Sequence, residues 1–169
     1  TVSIHLSKDG GQQFGAEFKA VNPQMRVPAL ELPSGEVLTQ SLAIIDHLDR
    51  VRPEPLLIPA GGASRDRVLE IAYAIAADIH PLNNLSPLAV LRREFGADEA
   101  AIRRWYQDWI LRGFAALETM AVEAGKGPFL FGDKPGLAEI ALVPQVANAR
   151  RFDTDLAAFP RLVALDAAC

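Results

Sequence analysis

Hydrophobic and polar positions change their rhythm once along this chain. Over the first fifty residues the apolar runs are short and their period is mixed. Thr-Val-Ser-Ile-His-Leu at 1–6 alternates from its first residue and predicts a strand. A helix is predicted around 14–21, strands at 27–32 and 36–39, and a helix at 41–51; Pro33-Ser34-Gly35 between the two strands is a hairpin-turn signal. Residues 53–62 hold three prolines and two glycines and predict a linker, because proline withholds an N–H and glycine weakens regular structure. Beyond it the period is helical. With Ser64 as N-cap, Val68, Ile71, Ala72, Ile75 and Ile79 share one face until Pro81 interrupts it. Ile102, Trp105, Tyr106, Trp109, Phe114 and Leu117 mark a second stripe. Residues 137–149 are apolar almost all round, as a helix buried among others should be, and 159–165 open a further helical pattern. The expectation is an α+β chain: a small β/α domain over 1–52, a linker at 53–62 and an all-helical domain over 63–169.

Composition narrows the class of protein without naming a chemistry. The 169 residues are half hydrophobic, enough to bury a core, yet no apolar run approaches the roughly 18 residues that cross a bilayer. No basic stretch followed by an apolar one opens the chain. A net charge of −4 with dispersed Lys and Arg argues against nucleic acid as a partner. The one cysteine, Cys169, rules out an internal disulfide and a thiolate zinc site, and three scattered histidines speak against any metal centre. A soluble cytoplasmic protein is expected. Both ends read as internal positions: alternation starts at Thr1, and the last helical pattern reaches Cys169 without a Gly, Asn or Pro terminator. The expectation is a portion of a longer chain.

Four segments concentrate candidate chemistry. In Asn22–Leu30 a Val27-Pro28 step falls where a strand should begin, although proline cannot donate to a ladder. A cis bond there would turn the backbone polar groups of Val27 toward a ligand; the alternative is an edge-strand proline. Gln40-Ser41 stands where a strand runs into a helix. Ser41 as N-cap would set a hydroxyl and free N–H groups at a helix start, which suits a carboxylate or serves as a plain cap. Gly10–Phe14 is a polar loop without a phosphate-binding pattern. His80-Pro81-Leu82-Asn83-Asn84-Leu85 gathers polar side chains at a kink in an apolar helix, where their partners are either a ligand or the kinked backbone. No Ser/His/Asp or Cys/His arrangement is present.

Taken in order, Gly-Gln-Gln-Phe (11–14), Asn-Pro-x-x-x-Val-Pro (22–28), Gln-Ser-Leu-Ala-Ile-Ile (40–45), His-Pro-Leu-Asn-Asn-Leu (80–85) and Leu-Val-Pro-Gln-Val-Ala-Asn-Ala-Arg-Arg-Phe (142–152) resemble the zeta-class glutathione transferase and maleylacetoacetate isomerase family. The likeness runs over essentially the whole chain. It implies a partial thioredoxin-like N-terminal domain, with its first strand and helix absent here, followed by the all-α glutathione-transferase domain. It also implies a homodimer that uses glutathione. By resemblance Pro28 is the cis-proline, Val27 meets the cysteinyl part of glutathione, Gln40 and Ser41 hold the γ-glutamyl group, and Gln13 lies near the glycyl end. His80 and Asn84 correspond to positions where the helical domain closes over the site. Arg151, with Arg150 in reserve, is the expected partner of a small dianionic enedione; its other reading is a cation at a helix C-terminus.

The family's reaction is cis–trans isomerisation of maleylacetoacetate to fumarylacetoacetate in tyrosine and phenylalanine catabolism, by reversible thiol addition to the double bond. Alternatives on the same scaffold are a glutathione transferase, a maleylpyruvate isomerase, or a non-catalytic member that binds glutathione or a protein. Relatives carry a serine motif ahead of the position matching Thr1, so the catalytic residue is expected outside this sequence. One further departure is local. The buried helix opens on Gly136 and Glu139 in place of Thr or Ser then Asp, so its capping box is expected to be weakened.

Overall fold

The computed structural model describes residues 1–125 and 127–169, Asp9 through its backbone alone. Contacts divide the chain into two units, Thr1–Glu54 and Pro55–Cys169.

In the first unit, tight turns at Lys8–Gly10 and Gln12–Phe14 lead into α1 (Ala16–Val21). Asn22 then folds the chain back: it is 1% exposed, its Nδ2 donates to the Arg26 carbonyl and its Oδ1 accepts from the Gln24 N–H. β1 (Ala29–Glu31) and β2 (Val37–Thr39) form an antiparallel hairpin in the register Ala29–Thr39, Leu30–Leu38 and Glu31–Val37. Its turn needs φ +86° at Gly35, a conformation open to glycine at no steric cost. α2 (Ser41–Val51) follows β2 and turns Ile44 inward.

The strand expected at 1–6 does not form. Gln12 takes up the backbone of this segment instead: its N–H donates to the His5 carbonyl, and its Oε1 accepts from the His5 N–H. Alternation fixes which side chains share a face but supplies no ladder partner, and Val2 stays exposed. The strand expected at 27–32 is trimmed to 29–31, because the ladder starts only after Pro28.

The second unit is helical: α3 (Gly62–Tyr73), α4 (Leu85–Phe95), α5 (Glu99–Glu123), α6 (Leu137–Arg151) and α7 (Pro160–Ala168). Ser64 is not the N-cap of α3; the helix starts two residues earlier, behind the extended Gly61. Past Tyr73 the chain continues as a π-helical turn (Ala74–Ile79) and then a 3₁₀ turn (His80–Asn83) before Asn84 caps α4. Departure from α-helical winding at Pro81 is expected, since its ring removes an N–H and crowds the preceding turn. α5 buries Ile102, Tyr106, Ile110, Phe114, Leu117 and Ala121 along one face. α6 lies between α3 and α7 and buries Leu137, Ala138, Leu142, Val146 and Ala149. Each large apolar side chain fully buried here contributes about 1.5–3 kcal/mol over leaving it in water.

The start of α6 shows why glycine stands at 136. The Leu57 carbonyl accepts from the Leu137 N–H at 2.8 Å, taking the place of a side-chain cap. A Cβ on residue 136 would sit 2.7 Å from that same oxygen. Glu139 completes the arrangement, accepting from the Gly136 N–H and from the Leu130 N–H, both at 2.8 Å. The helix start is therefore well satisfied, by backbone in place of a hydroxyl. Among the described residues no helix is long and apolar enough to cross a membrane.

Candidate functional site

The end of the hairpin assembles the first group of expected residues. The Val27–Pro28 peptide bond is cis. Val27 lies ahead of the ladder and is 41% exposed. Because Ala29 pairs with Thr39, the register sets Pro28 and Gln40 side by side at one end of the hairpin. A side-chain bond reinforces this: Gln40 Nε2 donates to Gln24 Oε1 at 2.9 Å, tying the 22–28 loop to the strand–helix junction.

Gln40 itself has φ +70° and ψ +120°, a region that residues with a side chain rarely occupy and that costs about 1–3 kcal/mol. This conformation ends β2 and makes Ser41 the first helical residue. The expected N-cap role therefore moves from Ser41 to Gln40, whose carbonyl accepts the first helical bond from the Ile44 N–H. No side chain caps α2, and its first turn holds no acidic residue. The leading N–H groups of the helix and the exposed Ser41 hydroxyl thus form a positively polarised end with no carboxylate of its own.

Gln13 is buried close by in sequence but is held differently. Its Nε2 donates to the Leu6 carbonyl at 3.3 Å, and its Oε1 is buried without a partner. Gly11 makes room for it: a Cβ there would fall 2.7 Å from Gln13 Nε2, and φ is +101°. The structure does not bond Gln13 to the 27–41 group.

In the second unit, His80 is exposed at the top of the 3₁₀ turn, yet its Nδ1 lies 3.2 Å from Gln145 Nε2 on α6. Partial burial pushes its pKa below the usual histidine value. Asn84 accepts from the Leu85 N–H at 2.7 Å and so caps α4. The turn between them is pinned by α5: Trp105 Nε1 donates to the Leu82 carbonyl, and Asn83 Nδ2 to the Tyr106 carbonyl. At the far end of α6, Arg150 is committed to Asp166 on α7 at 2.6 Å, which removes it as the reserve cation. Arg151 is exposed and lies 5.8 Å from the Phe152 ring, which stacks on Tyr106 at 3.6 Å. Burial raises the Tyr106 pKa, and the Arg151 charge opposes the shift.

Sequence reasoning missed two residues that hold these positions. Gln24 occupies an unremarked place within the 22–28 motif. Gln145 carried a visible signal, an amide within the mostly apolar stretch of a buried helix, but its partner is 65 residues away.

Comparison with known proteins gives these groups a context. Residues 2–51 match the model of the glutathione S-transferase N-terminal domain, and residues 100–165 that of the glutathione S-transferase C-terminal domain. A maleylacetoacetate isomerase of Rhizobium meliloti (strain 1021) is 49% identical, over 90% of this chain and 71% of the relative. A holo structure of maleyl pyruvate isomerase, described as a bacterial glutathione S-transferase in the zeta class, is 47% identical with a TM-score of 0.93, covering 99% of this chain and 78% of that one. A maleylacetoacetate isomerase of Anaeromyxobacter dehalogenans 2CP-1, solved with GSH in its active site, is 40% identical with a TM-score of 0.80, covering 94% and 73%.

Proposed function

The chain belongs to the zeta-class glutathione transferase and maleylacetoacetate isomerase family, and from that premise we propose that it is a glutathione-dependent cis–trans isomerase converting maleylacetoacetate to fumarylacetoacetate. The observation that carries the reading is the uncapped start of α2 beside the cis Val27–Pro28 bond. The residues present fit glutathione, a peptide with an amino-acid carboxylate at one end. Free helix N–H groups with no acidic side chain among them suit that carboxylate, and an exposed backbone off the ladder suits its peptide groups. Bound glutathione supplies a thiol whose reversible addition to a carbon–carbon double bond lets that bond rotate.

In this reading Val27 meets the cysteinyl segment through its backbone N–H and carbonyl. The Ser41 hydroxyl and the N–H groups of α2 hold the γ-glutamyl carboxylate, and the Gln40 amide adds a polar contact. Gln13, with its unpartnered oxygen, serves the glycyl end. His80 and Asn84 contribute polar side chains from the helical unit. Arg151, once Arg150 is spent on Asp166, is the cation for a substrate carboxylate. Thiol activation belongs, by resemblance, to a serine motif of the family, and none of the residues named here is assigned that role. A homodimer acting in the cytoplasm is part of the same reading.

Maleylpyruvate is the second candidate substrate, favoured by the likeness to the maleyl pyruvate isomerase. The test is an assay of the purified protein with each substrate, with and without glutathione. Glutathione-dependent conversion of maleylacetoacetate is expected, and a higher kcat/KM on maleylpyruvate would favour the second reading. Conversion undiminished without glutathione would overturn both.

A further inference from the structure

Gln145 is the side chain that meets His80 from inside the helical unit. It is 3% exposed, midway along a helix whose other inward residues are mostly apolar. Its Nε2 lies 3.2 Å from His80 Nδ1. On its other side, Asn148 Nδ2 lies 3.5 Å from Gln145 Oε1. In this arrangement the two amides are matched, amino group to oxygen. An amide nitrogen only donates, so the His80 nitrogen facing it must be bare. A neutral imidazole carries one proton, which then resides on Nε2. The turn under the ring is constrained as well, since the Leu82 carbonyl accepts from Trp105 Nε1 at 2.9 Å and Asn83 Nδ2 donates to the Tyr106 carbonyl at 3.2 Å.

We propose that Gln145 is a positioning residue that locks His80 in its Nε2–H tautomer, so that the ring nitrogen directed away from α6 is a hydrogen-bond donor. A donor there suits an oxygen acceptor, a carboxylate or carbonyl of the bound molecule, and not a proton to be abstracted. The role toward a ligand rests on the proposed placement of His80 in the glutathione site. The tautomer itself does not. Burial that disfavours the imidazolium supports the assignment by keeping the ring neutral near neutral pH.

Long-range ¹H–¹⁵N NMR of the imidazoles in the unliganded protein reads the tautomer directly, with the His80 signals identified by their loss in His80→Gln. The wild type should show a protonated Nε2 and a bare Nδ1. Gln145→Met keeps the volume while removing the donor and should release the ring to a mixture of tautomers. Gln145→Glu offers an acceptor and should move the proton to Nδ1. A wild-type ring protonated on Nδ1, or a tautomer ratio unchanged in a folded Gln145→Met protein, overturns the proposal. The wild-type spectrum alone decides the first of these, even if both variants fail to fold. Adding glutathione and maleate then separates the two ideas. If the ligands leave the ring signals unmoved while Gln145→Met still shifts the tautomer, Gln145 remains the tautomer lock and His80 is removed from the ligand site.

Discussion

The two units use their buried positions differently. Among the described residues of Thr1–Glu54, Ile44 is the one apolar side chain that is fully inward, while Gln13 and Asn22 are buried polar groups bonded to loop backbone and Asp49 is a buried carboxylate on α2. Pro55–Cys169 buries isoleucines, leucines and phenylalanines along α3, α5, α6 and α7, with Phe114 and Ile110 at 0% exposure. The candidate ligand groups follow the same division. In the first unit they are mainly backbone groups and a helix end, presented by a hairpin and one unusual residue, Gln40, with the side chains of Gln13, Gln40 and Ser41 beside them. In the second they are side chains, His80 and Arg151, standing on helices whose packing fixes them. Backbone recognition needs little core; side-chain recognition needs a rigid support.

That contrast can be tested by substitutions of decreasing effect. Phe114→Ala empties the centre of the helical unit, where the ring meets Phe159 edge to face at 5.7 Å. It should cost about 3–5 kcal/mol in urea unfolding. Gly113→Ala should cost roughly 1–3 kcal/mol despite alanine's better helix propensity, because the new methyl would fall 2.2 Å from the buried Ile79 Cδ1.

Gly136→Ser is the sharpest of the stability tests. Capping rules favour serine at a helix start, but the Leu57 carbonyl already fills that space, so a loss of roughly 1–2 kcal/mol is expected. A gain in stability would refute the backbone-cap account. Ser41→Ala should do the reverse of a core mutation. Its hydroxyl caps nothing, so stability should stay within about 0.5 kcal/mol, while the Kd for glutathione rises about tenfold, or ~1.4 kcal/mol.

The smallest effect is the pH dependence from His80. Partial burial holds its folded pKa below the usual histidine value of 6.5, so as pH falls the unfolded chain takes up the proton first. Its contribution therefore lowers stability as pH drops through about 6.5, and the loss levels off below the folded pKa. Unfolding of wild type and His80→Gln between pH ~7.5 and ~5.5 should differ in slope in that direction. Equal slopes would show that the ring does not pack against α6 in solution.

The helical unit was the more legible half because a 3.6-residue apolar period states both the element and its inward face. What periodicity could not give was contact between distant segments. Ser64 obeys the composition of an N-cap, yet α3 begins behind Gly61. Arg150 and Arg151 are indistinguishable in sequence until α7 brings up Asp166. In the first unit, alternation at 1–6 promised a strand with no partner to pair with. The Gln40-Ser41 junction was recognisable as a place, but glutamine carries no signal for a left-handed backbone. The shift of the cap from Ser41 to Gln40 is visible only in the folded chain.

The central claim is that the hairpin end and the start of α2 form the glutathione site. Backbone amide shifts of the wild-type protein, followed by NMR as glutathione is added, test it most directly. The account predicts saturable shifts centred on Val27, Gln40 and Ser41. Saturable shifts centred elsewhere, or none at millimolar glutathione, would contradict it.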